Sequence, residues 1–179
     1  MAIILLALVV FLMALIYVYV AMAISDWLGV PFVPTYSWDV KTLLSGLTVN
    51  KHDVFYDIGA GDGSVVRYAA KHFGIESYGV EKNRMLVWYA RLASWVTRQQ
   101  NVHMIAADAF SVSYRKATII YLYLFPEFIA KLIIKLKKEC KPGTLVISHK
   151  FIIKPWSKYL EKFDDIKPRR VVFNQAINW

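Results

Sequence analysis

The segment Val54-Phe55-Tyr56-Asp57-Ile58-Gly59-Ala60-Gly61-Asp62-Gly63 constrains the fold more than any other stretch, because an apolar run ends in an acid and breaks into three alternating glycines. This pattern predicts a buried strand feeding a tight turn, with Ser64 to Phe73 restarting as a helix. Glycines lack Cβ, so the backbone can take positive φ and a ligand can lie against it. The turn therefore reads as a nucleotide-type site. A dinucleotide fingerprint spaces its glycines G-x-G-x-x-G and aims a helix N-terminus at a pyrophosphate. Here the spacing is G-x-G-x-G, and Asp57 and Asp62 stand where they would repel phosphates. They suit a ligand that carries positive charge.

The D-x-G-x-G-x-G pattern resembles motif I of the class I S-adenosyl-L-methionine (SAM) methyltransferases, whose cofactor carries an ammonium and a sulfonium. Two further acids fall at the matching intervals. Glu76 to Val80 reads as a second strand ending in Glu81, placed to accept hydrogen bonds from ribose hydroxyls. Val102 to Ala106 reads as a third strand, followed by Asp108, and the resemblance implies that this acid, or the backbone beside it, meets the adenine amino group. One strand-end carboxylate alone is most simply a solvated group. Three at successive strand ends are better explained by a site.

Met1 to Ile24 contains no charged side chain. As a helix it would span about 36 Å at about 1.5 Å per residue, enough for a hydrocarbon core of about 30 Å. The stretch lacks the basic start and short apolar core of a cleavable leader, so the sequence predicts a retained transmembrane anchor with Trp27 near the interface. The expected organisation is an anchor over 1–24, a connector over 25–35 and a catalytic domain over 36–179. The localisation expected on that basis is a single-pass membrane protein with its catalytic domain on the cytoplasmic side, where SAM is made.

Charge is uneven along the rest. From Asp26 to Phe110 there are 8 Lys/Arg and 8 Asp/Glu, whereas from Ser111 to Trp179 there are 14 against 5, which carries the whole net charge of +9. Such a basic C-terminal part offers a surface for anionic lipid headgroups or an acidic partner; nucleic acid is not the expected partner. Cys140 is the only cysteine, which excludes an intrachain disulfide and any Cys/His metal cluster, so no metal is expected.

Beyond the glycine turn the chain alternates strands and helices. A helix is expected over Trp38 to Leu47, then helix Arg84 to Arg98, strand Thr118 to Tyr123, helix Glu127 to Glu139 and strand Thr144 to His149. A final strand within Arg170 to Trp179 would pair with the region Tyr159 to Ile166. The fold class is α/β: a mostly parallel sheet with helices on both faces, Rossmann-like, of the class I methyltransferase kind, preceded by the transmembrane helix. In helix 84–98, Met85, Trp88, Leu92 and Trp95 recur at helical spacing, and this stripe is expected to pack on the sheet. Helix 127–139 turns Lys131, Lys135 and Lys138 to one side.

Tyr121-Leu122-Tyr123-Leu124-Phe125-Pro126 follows the fourth strand, where open α/β sheets place their chemistry. Alternation lets Tyr121, Tyr123 and Phe125 share one side, and aromatic faces attract cations. Together with Phe32-Val33-Pro34-Thr35 and Pro142-Gly143-Thr144-Leu145-Val146-Ile147-Ser148-His149, these motifs look like one family. It comprises the small protein-lysine methyltransferases that include the enzymes acting on the ATP synthase c-subunit and the adenine nucleotide translocase, with archaeal relatives.

The resemblance implies SAM as cofactor, held by Pro34, Thr35, Asp57, Gly59, Gly61, Gly63, Glu81 and Asp108, and a transfer site bordered by Tyr121 and Tyr123. His149 is a candidate proton acceptor, though a structural hydrogen-bonding histidine is the simpler reading. The implied function is transfer of a methyl group to a protein lysine ε-amine, in a membrane-anchored enzyme whose expected partner is a lysine-bearing protein of the membrane. The alternatives are a methyltransferase of a lipid or quinone-like substrate and a non-catalytic SAM-binding membrane protein.

Overall fold

The structure, a computed structural model, describes residues 2–27, 41, 44, 47–149, 161–162 and 172–176. The chain divides into two units, Met1–Pro34 and Thr35–Trp179. The first holds helix α1 (Ala2–Trp27), in which Ile3, Leu6, Phe11 and Ile16 are exposed. Among the described residues, however, no helix is long and apolar enough to cross a membrane. This finding overturns the expected transmembrane helix and the single-pass, cytoplasm-facing localisation built on it.

In the second unit, β1 (Val54–Ile58) leads through the glycine turn into α2 (Ser64–Phe73). β2 (Glu76–Glu81), α3 (Arg84–Val96) and β3 (Val102–Ala106) follow. β4 (Ile119–Leu122), α4 (Pro126–Glu139) and β5 (Leu145–His149) complete the alternation. β6 (Glu161–Lys162) and β7 (Val172–Ala176) lie in the regions where the sequence places a closing pair. The sheet order is β3-β2-β1-β4-β5-β7-β6. β1 to β5 run parallel, and β7 joins β5 and β6 antiparallel. The order reverses between β1 and β4, so a crevice opens at the carboxyl ends of these neighbours, where ligands bind in such sheets.

The core follows from strands that are apolar on both faces. Phe55, Ile119, Tyr121 and Ile147 face one way and pack with Leu44, Val65 and Ala69. Tyr56, Ile58, Ile120, Leu122 and Val146 face the other way, against Ile129, Leu132, Ile133 and Leu136 of α4. Each fully buried Leu or Ile contributes about 1.5–3 kcal/mol of transfer free energy. Pro126 starts α4 at a position where its missing N–H costs nothing. Cys140 ends that helix, buried and unbridged, and burial pushes its thiol up to about 11.

The stripe on α3 is corrected. Met85, Trp88, Leu92 and Trp95 are 46%, 60%, 42% and 77% exposed, and the buried face is instead Val87, Ala90 and Ser94. A Cβ on Gly63 would lie 2.9 Å from that of Ala90, so α3 sits too close to the glycine turn for large side chains. Small residues line the contact and the bulky ones point outward. The helix expected over Trp38 to Leu47 lies mostly outside the described residues; Leu44, which is described, is fully buried.

Candidate active site

The glycine turn leaves β1 with Gly59, Gly61 and Gly63 at φ of 83°, 54° and 72°, a region that other residues enter only with strain. The amides of Gly59 and Ala60 both donate to the Val80 carbonyl, at 2.8 and 3.0 Å, which pins the turn to the end of β2. Gly79, which the sequence pattern did not single out, makes this fit possible. A Cβ there would stand 2.5 Å from the Met104 sulfur and 2.9 Å from the Ala60 Cβ.

Glu81 ties the turn to the next helix. Its Oε2 accepts from the Gly61 amide at 2.9 Å and its Oε1 from the Asn83 amide at 2.8 Å. A carboxylate oxygen can accept more than one hydrogen bond, so the same group can also receive ligand hydroxyls. Asn83 is a residue that the motif spacing did not reveal. It caps α3, with Oδ1 accepting from the amides of Met85 and Leu86, and an Asn directly before an apolar-periodic run was the signal available.

Asp57 is 2% exposed. Burial raises its carboxyl well above the ordinary value, and the charges of Glu81 and Asp62 raise it further. Among the described residues no ion pair reaches it. Asp62 opens the next turn, accepting from the Ser64 amide at 3.0 Å through its side chain and from Arg67 at 2.6 Å through its carbonyl. Three acids around a turn of left-handed glycines form a cluster that a cation stabilises and an anion does not. This fits a ligand with a cationic end for Asp57 and hydroxyls for Glu81. Asp108 stands beyond β3, its Oδ1 accepting from the Phe110 amide at 2.9 Å and its Oδ2 3.4 Å from Lys82 Nζ.

The aromatic segment meets β5 across the sheet. Tyr121 pairs in register with Asp57 on one side and with Ile147 on the other, so these side chains share a face. The Tyr121 hydroxyl lies 2.6 Å from His149 Nδ1, and the Tyr123 ring stacks on the His149 imidazole at 4.5 Å. Tyr121 and His149 are each 1% exposed, Tyr123 is half-buried, and Phe125 is 45% exposed at the start of α4. The structure thus brings Tyr121, Tyr123 and His149 together and turns Phe125 toward solvent. Pro34 and Thr35 lie outside the described residues.

Comparison with known proteins gives a consistent picture. The family model described as the ANTKMT methyltransferase domain matches residues 57–159. A protein-lysine N-methyltransferase of Saccharolobus islandicus (strain REY15A) is 34% identical over 153 residues, covering 83% of this chain and 94% of the relative. The ATP synthase c-subunit lysine N-methyltransferase of Xenopus laevis is 32% identical over 133 residues, 72% of this chain. The match takes in only 57% of the Xenopus protein, so the chain spans a little over half of that relative. Among solved structures, an RNA methyltransferase from Salinibacter ruber in complex with S-adenosyl-L-homocysteine matches with a TM-score of 0.74 and 31% identity, covering 82% of this chain and 94% of that one.

Proposed function

We propose a site assignment and a mechanism from one premise: the chain belongs to the ANTKMT methyltransferase domain family and is a SAM-dependent protein-lysine N-methyltransferase. The catalytic domain is assigned to 36–179. Asp57 takes the cationic methionyl end of the cofactor, the backbone at Gly59, Gly61 and Gly63 gives it room, and Glu81 accepts from the ribose hydroxyls. Asp108 borders the adenine, and Pro34 and Thr35 complete the pocket. When bound, SAM supplies a methyl group made electrophilic by its sulfonium.

The substrate amine is assigned to the Tyr121, Tyr123 and His149 cluster. A free lysine has a pKa of about 10.4, and only its neutral form carries the lone pair that attacks. A desolvated position beside positive charge lowers that value, so the protein's task is to exclude water and align the amine. The Tyr121–His149 hydrogen bond holds the phenol in one orientation, and stacking on His149 holds the Tyr123 ring. The half-buried Tyr123 face attracts the lysine as a cation and orients it once its proton has passed to solvent water. His149 acts through the two tyrosines as a positioning residue.

The observation that carries this reading is the in-register pair Asp57–Tyr121 on adjacent strands, which sets the proposed cofactor acid beside the proposed amine cluster. The Xenopus relative is named for a lysine of the ATP synthase c-subunit, which makes that polypeptide the first substrate to test. Incubating the protein with methyl-labelled SAM and the c-subunit, beside RNA and extracted lipid, tests the reading. Label in methyllysine after acid hydrolysis supports it. Label confined to lipid supports the quinone-like alternative, label confined to RNA an activity like that named for the Salinibacter protein, and SAM binding without transfer a binding protein.

A further inference from the structure

We propose that the outer face of α4 is a docking groove for an acidic segment of the protein substrate, in which Lys131 and Lys138 take carboxylates and Ile134 takes an apolar side chain. The proposal rests on the assignment of the substrate amine to the Tyr121, Tyr123 and His149 cluster.

Lys131, Ile134, Lys135, Lys138 and Glu139 line an open cavity of about 300 Å³ on this helix. The lysines recur at i, i+4 and i+7, so they share one side. Lys135 is spent internally: its Nζ pairs with Glu139 Oε1 and lies 5.7 Å from the centroid of the Tyr114 ring. Glu139 is spent as well, since its Oε2 accepts from the Tyr114 amide at 2.9 Å. Burial tends to raise its carboxyl, but the hydrogen bonds from Lys135 and Tyr114 and the charges of Lys135 and Arg115 hold it below the ordinary value, so it stays ionised. The one acid among these lining residues is thus committed elsewhere. Lys131 and Lys138 are exposed and, among the described residues, in no ion pair. Between them Ile134 is 59% exposed. Two cations about 10 Å apart along the helix, with an apolar side chain between, complement carboxylates that flank an apolar residue.

Other anionic partners fit less well. An interfacial helix buries its apolar face in lipid, and here that face, Ile129, Leu132, Ile133 and Leu136, is already packed in the core. Single-stranded nucleic acid is held by aromatic rings that stack on bases, and among the described residues no aromatic side chain lines this groove. Position gives the groove its use. α4 starts at Pro126, three residues after Tyr123, and reaches Lys138 about 18 Å further on at about 1.5 Å per residue. An extended segment at about 3.3 Å per residue covers that distance within about ten residues of the methylated lysine. Docking there lowers KM without touching the reacting atoms.

The test compares the full chain with a variant carrying Lys131→Gln and Lys138→Gln. The probe is a fluorescein-labelled peptide of four glutamates, one leucine and four more glutamates. Fluorescence anisotropy should show it bound by the wild type, about three- to tenfold more weakly by the variant, and more weakly as salt rises. Ile134→Ser should remove the preference for leucine over glycine at the peptide's centre. Melting temperature and S-adenosyl-L-homocysteine affinity should be unchanged. Two further peptides carry a lysine about six positions from the same glutamate segment or from its glutamine counterpart. The acidic one should have the lower KM at equal kcat, and the variant should erase the difference. Equal binding of glutamate and glutamine probes, or a variant that binds like the wild type, would overturn the proposal. So would binding of phosphatidylserine vesicles or oligouridylate through these lysines without binding of the glutamate probe. If both lysine peptides are methylated with equal KM, the docking proposal fails and the lysine reading stands. If the glutamate probe binds through Lys131 and Lys138 but neither lysine peptide is methylated, the groove stands and the amine assignment fails.

Discussion

Tyr121 and His149, on adjacent parallel strands, meet with the phenol oxygen 2.6 Å from the imidazole Nδ1, each side chain 1% exposed. A buried polar pair of this kind must keep its hydrogen bond to avoid a desolvation penalty. It is therefore a rigid base for the half-buried Tyr123 ring stacked on it.

Tyr121→Phe should cost about 1–3 kcal/mol of stability, the penalty for removing one partner of a buried hydrogen bond, and should lower kcat at least tenfold. SAM affinity should stay within twofold, because the pair acts on the amine and not on the cofactor. Steady-state kinetics beside calorimetry measures both. Loss of SAM affinity in proportion to kcat would move Tyr121 into the cofactor pocket.

Tyr123→Ala should reduce turnover more than Phe125→Ala, since Tyr123 stacks on His149 while Phe125 is 45% exposed. In the wild type the rate should rise with pH as neutral amine becomes available, levelling off below the pKa of free lysine. A pH-independent rate from pH 6 to 10 would place the limiting step elsewhere.

Asp57→Asn should stabilise the ligand-free protein and weaken SAM binding. Burial, then Glu81 and Asp62, raise the Asp57 pKa in the native state, so the native state holds this proton more tightly than the unfolded chain. Stability must then fall as pH rises from the unfolded value near 3.8 to the raised native one, and stay reduced above it. The advantage of the Asn variant in denaturant melts should accordingly grow from pH 4 upward and then level off. A variant equally stable at every pH would contradict the assigned environment.

Gly63→Ala should destabilise by about 1–2 kcal/mol through its left-handed backbone alone, with a further cost from the 2.9 Å approach to the Ala90 Cβ. Thermal melting should show the loss without ligand. An unchanged melting temperature would mean that the turn relaxes.

On α3, Trp95→Ser should change stability by no more than about 0.5 kcal/mol, whereas Ala90→Leu should cost about 1–3 kcal/mol by overpacking. Trp95 is 77% exposed and Ala90 is fully buried. The reverse ranking would restore the orientation expected from the sequence.

The strands, the glycine turn and the acids at Asp57, Glu81 and Asp108 were legible in the chain because each depends on neighbours a few positions away. Apolar runs make strands, alternating glycines make the left-handed turn, and the helix restarts where apolar spacing returns. The facing of α3 was not legible, because ranking by hydrophobic size cannot reveal that a close approach to Gly63 requires a residue as small as Ala90 there. Nor was the membrane span, where an uncharged N-terminal run suggested more than the described helix supports.

Local order along the chain therefore determined the elements and the chemical character of the turn. Only tertiary structure decided which groups meet. The sheet order carries Tyr121 to His149, 28 positions apart, and Glu81 back to Gly61, 20 positions apart. It also left the Asn83 amino group buried without a partner. These relations arise from strands hydrogen-bonded across long separations, which no local pattern of residues encodes.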